Sequence, residues 1–143
     1  MNRVVASALL MLFVVSACAG ARTRRRDLKD AVHSYNVAIR WGHIQKASVH
    51  IPPKKRPEFI ARKRAALAHM RIHEVNLRNV SVSSDQSAAK VLVQVAFSVG
   101  ADPIIRTHVV EQQWRYRDEG WLLISKKRIK QVKARDSKPG DLY

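Results

Sequence analysis

Hydrophobic positions along this chain change period from segment to segment, and each change predicts a different element. Behind Met1-Asn2-Arg3, Val4 to Val15 (VVASALLMLFVV) is an apolar run of signal-peptide length, well short of the roughly 20 residues that span a bilayer. From Leu28 the spacing becomes three and four. Leu28, Ala31, Val32, Tyr35, Ala38, Ile39 and Gly42 then share one stripe, which predicts an amphipathic helix with Asp27 as its amino-terminal cap. Gly42 is placed either to interrupt that helix or to let it pack closely, and Ile44, Ala47 and Val49 extend the stripe until Pro52-Pro53 stops it. A loop over Pro52 to Pro57 should lead into a second, shorter helix over Glu58 to His69, where Phe59, Ile60, Ala65, Ala66 and Leu67 stand among good helix formers.

After His69 the period falls to two. Ile72 to Val82 is rich in β-branched residues, and its apolar phase slips between Leu77 and Val80, which predicts a strand with a bulge. Ser83-Ser84-Asp85-Gln86 reads as a turn. Ala89, Val91, Val93, Val95, Phe97 and Val99 then alternate with Lys90, Gln94 and Ser98, the signature of a half-buried strand. Gly100 to Pro103 turns the chain, and Ile104 to Arg117 forms another strand with Val110, Trp114 and Tyr116 on one side. Asp118-Glu119-Gly120 is a hairpin turn into a last strand at Trp121-Leu122-Leu123-Ile124. Lys126 to Tyr143 reads as a basic tail that frays beyond about Val132. The expected fold is α+β: a long amino-terminal helix and a short helix packed against a curled antiparallel sheet of about four strands.

Charge and cysteine usage add what periodicity cannot. The chain has 143 residues, 46% hydrophobic and 27% charged, a balance suited to one folded domain. Its 27 Lys and Arg stand against 11 Asp and Glu, a net +16, which favours anionic partners: nucleic acid, acidic headgroups or acidic polymers. One cysteine excludes an internal disulfide and a multi-cysteine metal site.

That cysteine stands where the apolar run ends. Val15-Ser16-Ala17-Cys18 resembles the lipobox of bacterial lipoproteins: a branched aliphatic residue, two small residues, then cysteine. The resemblance implies a diacylglyceryl group on the Cys18 sulfur, cleavage between Ala17 and Cys18, and further acylation, such as palmitate, on the new amino group. Residues 1–17 would be the signal peptide, 18–26 a lipidated basic tether, 27–130 the domain and 131–143 a basic flexible tail. Ala19 in place of aspartate implies sorting to the outer membrane, facing the periplasm. A plain leader with an incidental cysteine, or an uncut anchor, is the alternative. Each buried methylene adds about 0.8 kcal/mol of membrane affinity, so two or three acyl chains would hold the protein permanently. Arg22, Arg24, Arg25 and Arg26 run against this, because positive charge behind an apolar run resists translocation. Once exported they would either lie on anionic headgroups or form a solvated linker.

A second resemblance lies in the domain. Tyr35, Ala38, Ile39, Arg40, Trp41, Gly42 and Ala47 resemble the Y-x-x-A-I-R-W-G-x-x-x-x-A helix of NTF2-like lipoproteins, which have a cystatin-like cone. Trp114, Tyr116, Arg117, Gly120, Trp121 and Leu122 resemble the W-x-Y-x-x-x-G-W-L hairpin that closes that cone. Such cones often leave a pocket between sheet and long helix, and some relatives are isomerases or dehydratases using an aspartate with a histidine or tyrosine. Tyr35, His108, Gln112 and Trp114 are the candidate lining residues here. Asp30 falls near the helix start and Glu111 on the strand face opposite Trp114, so neither is placed as a general base. No catalytic residue, cofactor or metal is therefore assigned. His69 and His73 have helical ligand spacing, but the helix should end between them and no third ligand is evident. His33, His43 and His50 lack a partnering carboxylate in sequence.

The cations are dispersed as Lys54-Lys55-Arg56, Arg62-Lys63-Arg64 and Lys126-Lys127-Arg128, without the interleaved aromatics that stack on nucleic-acid bases. The expected function is a membrane-anchored envelope lipoprotein acting as a non-catalytic binding or assembly module. Its expected partners are membrane lipid through Cys18, anionic headgroups or an anionic envelope polymer, and a protein the sequence does not name. An isomerase- or dehydratase-type enzyme and a basic nucleic-acid-binding protein are the alternatives.

Overall fold

The computed structural model describes residues 23–118 and 120–129. The apolar leader, the Ala17–Cys18 junction, most of the tether and the 131–143 tail lie outside the described residues. No helix among the described residues is long and apolar enough to cross a membrane.

Helix α1 occupies residues 23–40. Its buried side chains include Leu28, Val32, Tyr35, Ala38 and Ile39, the stripe that the three-and-four spacing sets. The helix is already under way at residue 23, so Asp27 is an interior residue and not the cap, and Arg24 to Arg26 are helical. Arginine is a good helix former, and tertiary contacts hold this part of the helix. The Trp121 indole donates to the Arg24 carbonyl at 2.9 Å, and the Arg24 guanidinium lies 4.8 Å from the centre of the Tyr116 ring. At the other end Gly42, with φ +72°, terminates the helix. Its N–H donates to the Ile39 carbonyl, and the His43 N–H reaches the Ala38 carbonyl, the paired closure of a Schellman motif.

Helix α2 (Ile44–Ser48) and a 3-10 turn (Pro53–Lys55) lead to α3 (Arg56–Ala68). Pro57, expected in the loop, sits in the first turn of α3, where a helix needs no N–H. Two bonds fasten this corner. Arg56 donates from Nε to the Ile51 carbonyl at 2.9 Å, and the Leu123 N–H donates to the His50 carbonyl at 2.7 Å.

The sheet is an antiparallel meander of β1 (Met70–Val82), β2 (Ala88–Val99), β3 (Arg106–Arg117) and β4 (Gly120–Ile129), hydrogen-bonded in chain order. The bulge predicted near Leu77 lies between Leu77 and Asn79, and a second falls between Ile72 and Glu74. β2 alternates as its sequence does, burying Ala89, Val91, Val93, Val95 and Phe97. Ile104 and Ile105 are not strand but exposed loop, because Asp102 organises that turn: it accepts from the Ile104 N–H at 3.0 Å and pairs with Arg106 at 2.7 Å. β4 is longer than its apolar letters predict. Lys126, Lys127 and Arg128 pair with Gln112, Glu111 and Val110, so they belong to the sheet and not to the tail.

One face of the curled sheet closes over α1. Trp114, Trp121, Leu123, Val91 and Val93 meet Leu28, Val32, Tyr35 and Ile39 in a single core. Burying a side chain of this size contributes about 1.5–3 kcal/mol, which is what fixes the helix on the sheet.

Candidate functional site

Three of the four lining candidates come together on the inner face, but two of them are locked. The Trp114 indole N–H donates to Gln112 Oε1 at 3.2 Å, Gln112 Nε2 donates to Asn36 Oδ1 at 2.8 Å, and Asn36 Nδ2 donates to the Val32 carbonyl at 2.8 Å. Gln112 is fully buried. This chain of bonds satisfies each member and clasps β3 to α1, so Gln112 and Trp114 act as a polar seam inside the core. His108 lies four positions before Gln112 on β3, with its ring 4.8 Å from that of Phe97. Its Nδ1 is buried without a hydrogen bond, and desolvation, with Arg128 and Lys126 nearby, lowers its pKa.

Tyr35 is different. Its ring is packed edge-on against Trp114 at 5.8 Å and lies 6.3 Å from Phe59, yet its buried hydroxyl has no hydrogen-bond partner. Burial holds the phenol well above its ordinary pKa. Tyr35 lines a cleft of about 400 Å³ between α1, α3 and β4. The apolar lining includes Tyr35, Ile51, Phe59, Leu123 and Ile124; Lys55, Glu58, Arg62, Lys63, Ser125 and Lys126 supply the polar part.

Two lysines reach this cleft for separate reasons. Phe59 is buried on α3, and Lys63 follows it one helical turn later on the same face. On β4, strict alternation from Trp121 and Leu123 would turn Lys126 outward. A bulge intervenes: Trp114 pairs with Leu123 but Gln113 pairs with Ser125, so Ile124 is skipped and Lys126 faces Gln112 on the inner side. Both lysines line the same cleft, and each amine bears on the other's charge. Desolvation by the surrounding protein, together with the facing Lys63, pushes the Lys126 amine down to about 7. Its side chain keeps contact with solvent, so this is the crowding of a wet cleft mouth and not of a dry core. Desolvation and then Arg62 lower the pKa of Lys63. Neither lysine has a carboxylate partner among the described residues: Glu58 is exposed and pairs with Arg62 at 3.6 Å.

The other candidates fall elsewhere. Asp30 and His33 are exposed beside a second cleft of about 430 Å³ between α1 and β1. Glu111 is on the outer face, 3.7 Å from Lys90. His69 follows the end of α3 while His73 lies on β1 and meets Ser98 Oγ at 2.9 Å, so the two do not share a helical face. No group of three metal-ligating side chains occurs among the described residues. His43 is exposed, and His50 meets Ser34 Oγ at 3.2 Å.

Among solved structures the chain is similar to a SEC-C motif containing protein from Rhodopseudomonas palustris, with TM-score 0.60 and 16% identity over 70% of this chain and 77% of that one. It is also similar to a ketosteroid isomerase-like protein from Erwinia carotovora atroseptica, with TM-score 0.56 and 12% identity over 73% of this chain and 95% of that one. An NTF2-like protein from Cytophaga hutchinsonii matches with TM-score 0.54 and 14% identity, covering 73% and 98%. The fold is NTF2-like.

Identities this low carry the architecture alone, and the NTF2-like domain must be read for function from its own residues. No family model matches the sequence, and no curated protein does. Within the NTF2-like cone, Tyr35 was legible as a lining residue, whereas Lys63 and Lys126 were not. Both sit in basic triplets that read as solvated charge, and only the bulge at Ile124 turns Lys126 inward.

Proposed function

We propose that this chain is a lipid-anchored envelope protein whose NTF2-like domain binds a ligand without transforming it. The observation that carries the binding part is the cleft: an unpartnered Tyr35 hydroxyl and an apolar wall on one side, and on the other Lys63 and Lys126, which have no carboxylate partner among the described residues. Acid–base catalysis needs a titratable group tuned near working pH next to a reacting atom, most often a carboxylate or histidine. Lys126 is lowered to about 7 at this cleft, but the group facing it is a second amine, Lys63, and the carboxylate in the lining, Glu58, is exposed and held by Arg62. An isomerase-type enzyme is the second reading. The ketosteroid isomerase-like neighbour and the unpartnered Tyr35 phenol favour it.

The anchoring part rests on the lipobox Val15-Ser16-Ala17-Cys18. With Cys18 acylated and the protein in the outer membrane facing the periplasm, the chain from Cys18 to Arg24 can span at most about 20 Å. The domain would then ride close to the bilayer with Arg24, Arg25 and Arg26 toward the headgroups, each contributing roughly 1 kcal/mol on an anionic leaflet. Growing cells with an alkyne-bearing palmitate tests this. The wild-type chain should take up label and sediment with membranes, and Cys18→Ala should do neither. Label and membrane association retained by Cys18→Ala would sink the anchored reading.

A further inference from the structure

We infer that the cleft beside Tyr35 takes an organic carboxylate: its carboxylate sits between the Lys63 and Lys126 amines, its apolar body covers Phe59 and Leu123, and the buried Tyr35 hydroxyl donates to a second oxygen of the same molecule. This rests on the ligand-binding reading above and names the ligand class.

Lys63 and Lys126 bring like charge to one cleft from two different elements, α3 and β4. Two ammonium groups facing one cleft with no carboxylate partner among the described residues are mutually destabilising. Protein surfaces normally avoid this by adding a carboxylate. Here Glu58, the single acid in the lining, is engaged by Arg62 at 3.6 Å, one turn along its own helix. An anion placed between the amines removes the repulsion and gains two charge-assisted hydrogen bonds, the stronger class of such bonds. A carboxylate presents two oxygens at a spacing that meets two separate amines.

The second observation is independent of charge. Tyr35 is completely buried, its ring is held by Trp114 and Phe59, and its hydroxyl has no partner. A buried hydroxyl left unsatisfied is destabilising, so an oxygen from the cleft side is the missing acceptor. The wall joining Tyr35 to the lysines is apolar. A volume of about 400 Å³ suits a small molecule and lies within the range of ordinary ligand pockets. Cation at the rim, apolar wall and phenol donor at the floor together describe an oxygen-bearing organic acid such as an aromatic or short-chain keto acid.

Calorimetric titration of the full chain in lipid nanodiscs tests this with three probes: 3-benzoylpropionate, its neutral primary amide, and 4-phenylbutyrate, which lacks the ketone. Empty nanodiscs correct for partitioning into lipid. The keto acid should bind and its amide should bind at least about tenfold more weakly. Lys63→Met and Lys126→Met keep the aliphatic stems and should each cost about tenfold for the keto acid. Tyr35→Phe should abolish the preference for the keto acid over 4-phenylbutyrate. Circular dichroism checks that the variants fold, and the amide comparison needs no variant at all. Equal binding of acid and amide by the wild-type chain would overturn the carboxylate inference and leave the binding module standing. No binding of any probe at about 10 mM overturns both. Inorganic phosphate displacing the keto acid at equal concentration would show that the apolar wall plays no part, which also overturns the assignment.

Discussion

The Trp121 indole N–H donates to the backbone carbonyl of Arg24 at 2.9 Å, joining residues 97 positions apart, so the last hairpin holds α1 at Arg24. The same ring packs edge-on against Tyr116 at 5.5 Å. Trp121→Phe keeps an aromatic body and deletes the donor, and should lower unfolding free energy by about 1 kcal/mol. Trp121→Ala empties a buried site and should cost about 3–5 kcal/mol. Urea denaturation separates the two, and no loss in Trp121→Phe beside a full loss in Trp121→Ala would show that packing alone holds this end of the described helix.

The seam through Trp114, Gln112 and Asn36 should behave as structure and not as a binding surface. Gln112→Leu is close in volume but leaves the Trp114 N–H and Asn36 Oδ1 without their Gln112 partner. The expected loss is about 1–3 kcal/mol of stability. Keto-acid affinity in the Lys63–Lys126 cleft should stay at the wild-type value, as titration of the folded variant would show. A selective loss of affinity would place Gln112 in the ligand site.

The lysine pair should leave a pH signature. In the folded chain Lys126 titrates near about 7, against 10.5 ordinarily, so between these values the unfolded chain binds more protons at this position. Stability must therefore rise with pH in that window, and the penalty is complete below about 7. Lys63 is shifted the same way. The other charged groups facing the pair are Lys55, Arg62 and Glu58 across the cleft, with His108 and Arg128 on β3 and β4. His108 is lowered from 6.5 and so titrates below the window. Tyr35, raised by burial, opposes it only above about 10, where the unfolded phenol ionises first. Scanning calorimetry should show Tm rising from pH 7 to 9, and Lys126→Met should flatten that rise. A Tm that falls over this range in the wild-type chain would refute the crowded pair.

Much of the fold was legible because its elements bury one face and expose the other. The alternation of Ala89 to Phe97 marked β2, and the stripe from Leu28 to Ile39 marked α1. Errors came where a residue's letter and its role diverge. Ile104 and Ile105 are apolar yet exposed, since Asp102 bends the chain before β3 can begin. Lys126 to Arg128 are charged yet in the sheet, because the strand ladder is made by the backbone and is indifferent to side chains at a solvated edge. The candidate site suffered most. Tyr35 sits on a periodic helix and could be placed, but the inward turn of Lys126 depends on a one-residue bulge that no local pattern announces.

Gly42 offers a clean test of backbone conformation. It holds φ +72° at the end of α1, and a Cβ added there would meet nothing within 4 Å. Gly42→Ala should therefore cost about 1 kcal/mol from the left-handed backbone alone. A loss several times larger, measured by the same denaturation, would mean that the Ala38 and Ile39 carbonyl closures had broken as well.

The most direct test of orientation uses the length of β3. The Arg24–Trp121 contact puts the entry of the chain into the domain at the β3–β4 hairpin, while the turn at Gly100 and Ala101 lies at the other end of β3. A strand of 12 residues, Arg106–Arg117, separates those ends by about 35 Å. With a lipid on Cys18, a fluorophore on Arg117→Cys should be quenched by nitroxide lipids in the same bilayer, and one on Ala101→Cys should not. The design carries its own control. The chain has one natural cysteine, so an acylated Cys18 leaves the introduced thiol as the single site for maleimide. Labelling of the protein without either substitution would show a free Cys18 thiol, and equal quenching at both positions would show a domain lying flat on the membrane or tumbling at the end of its tether.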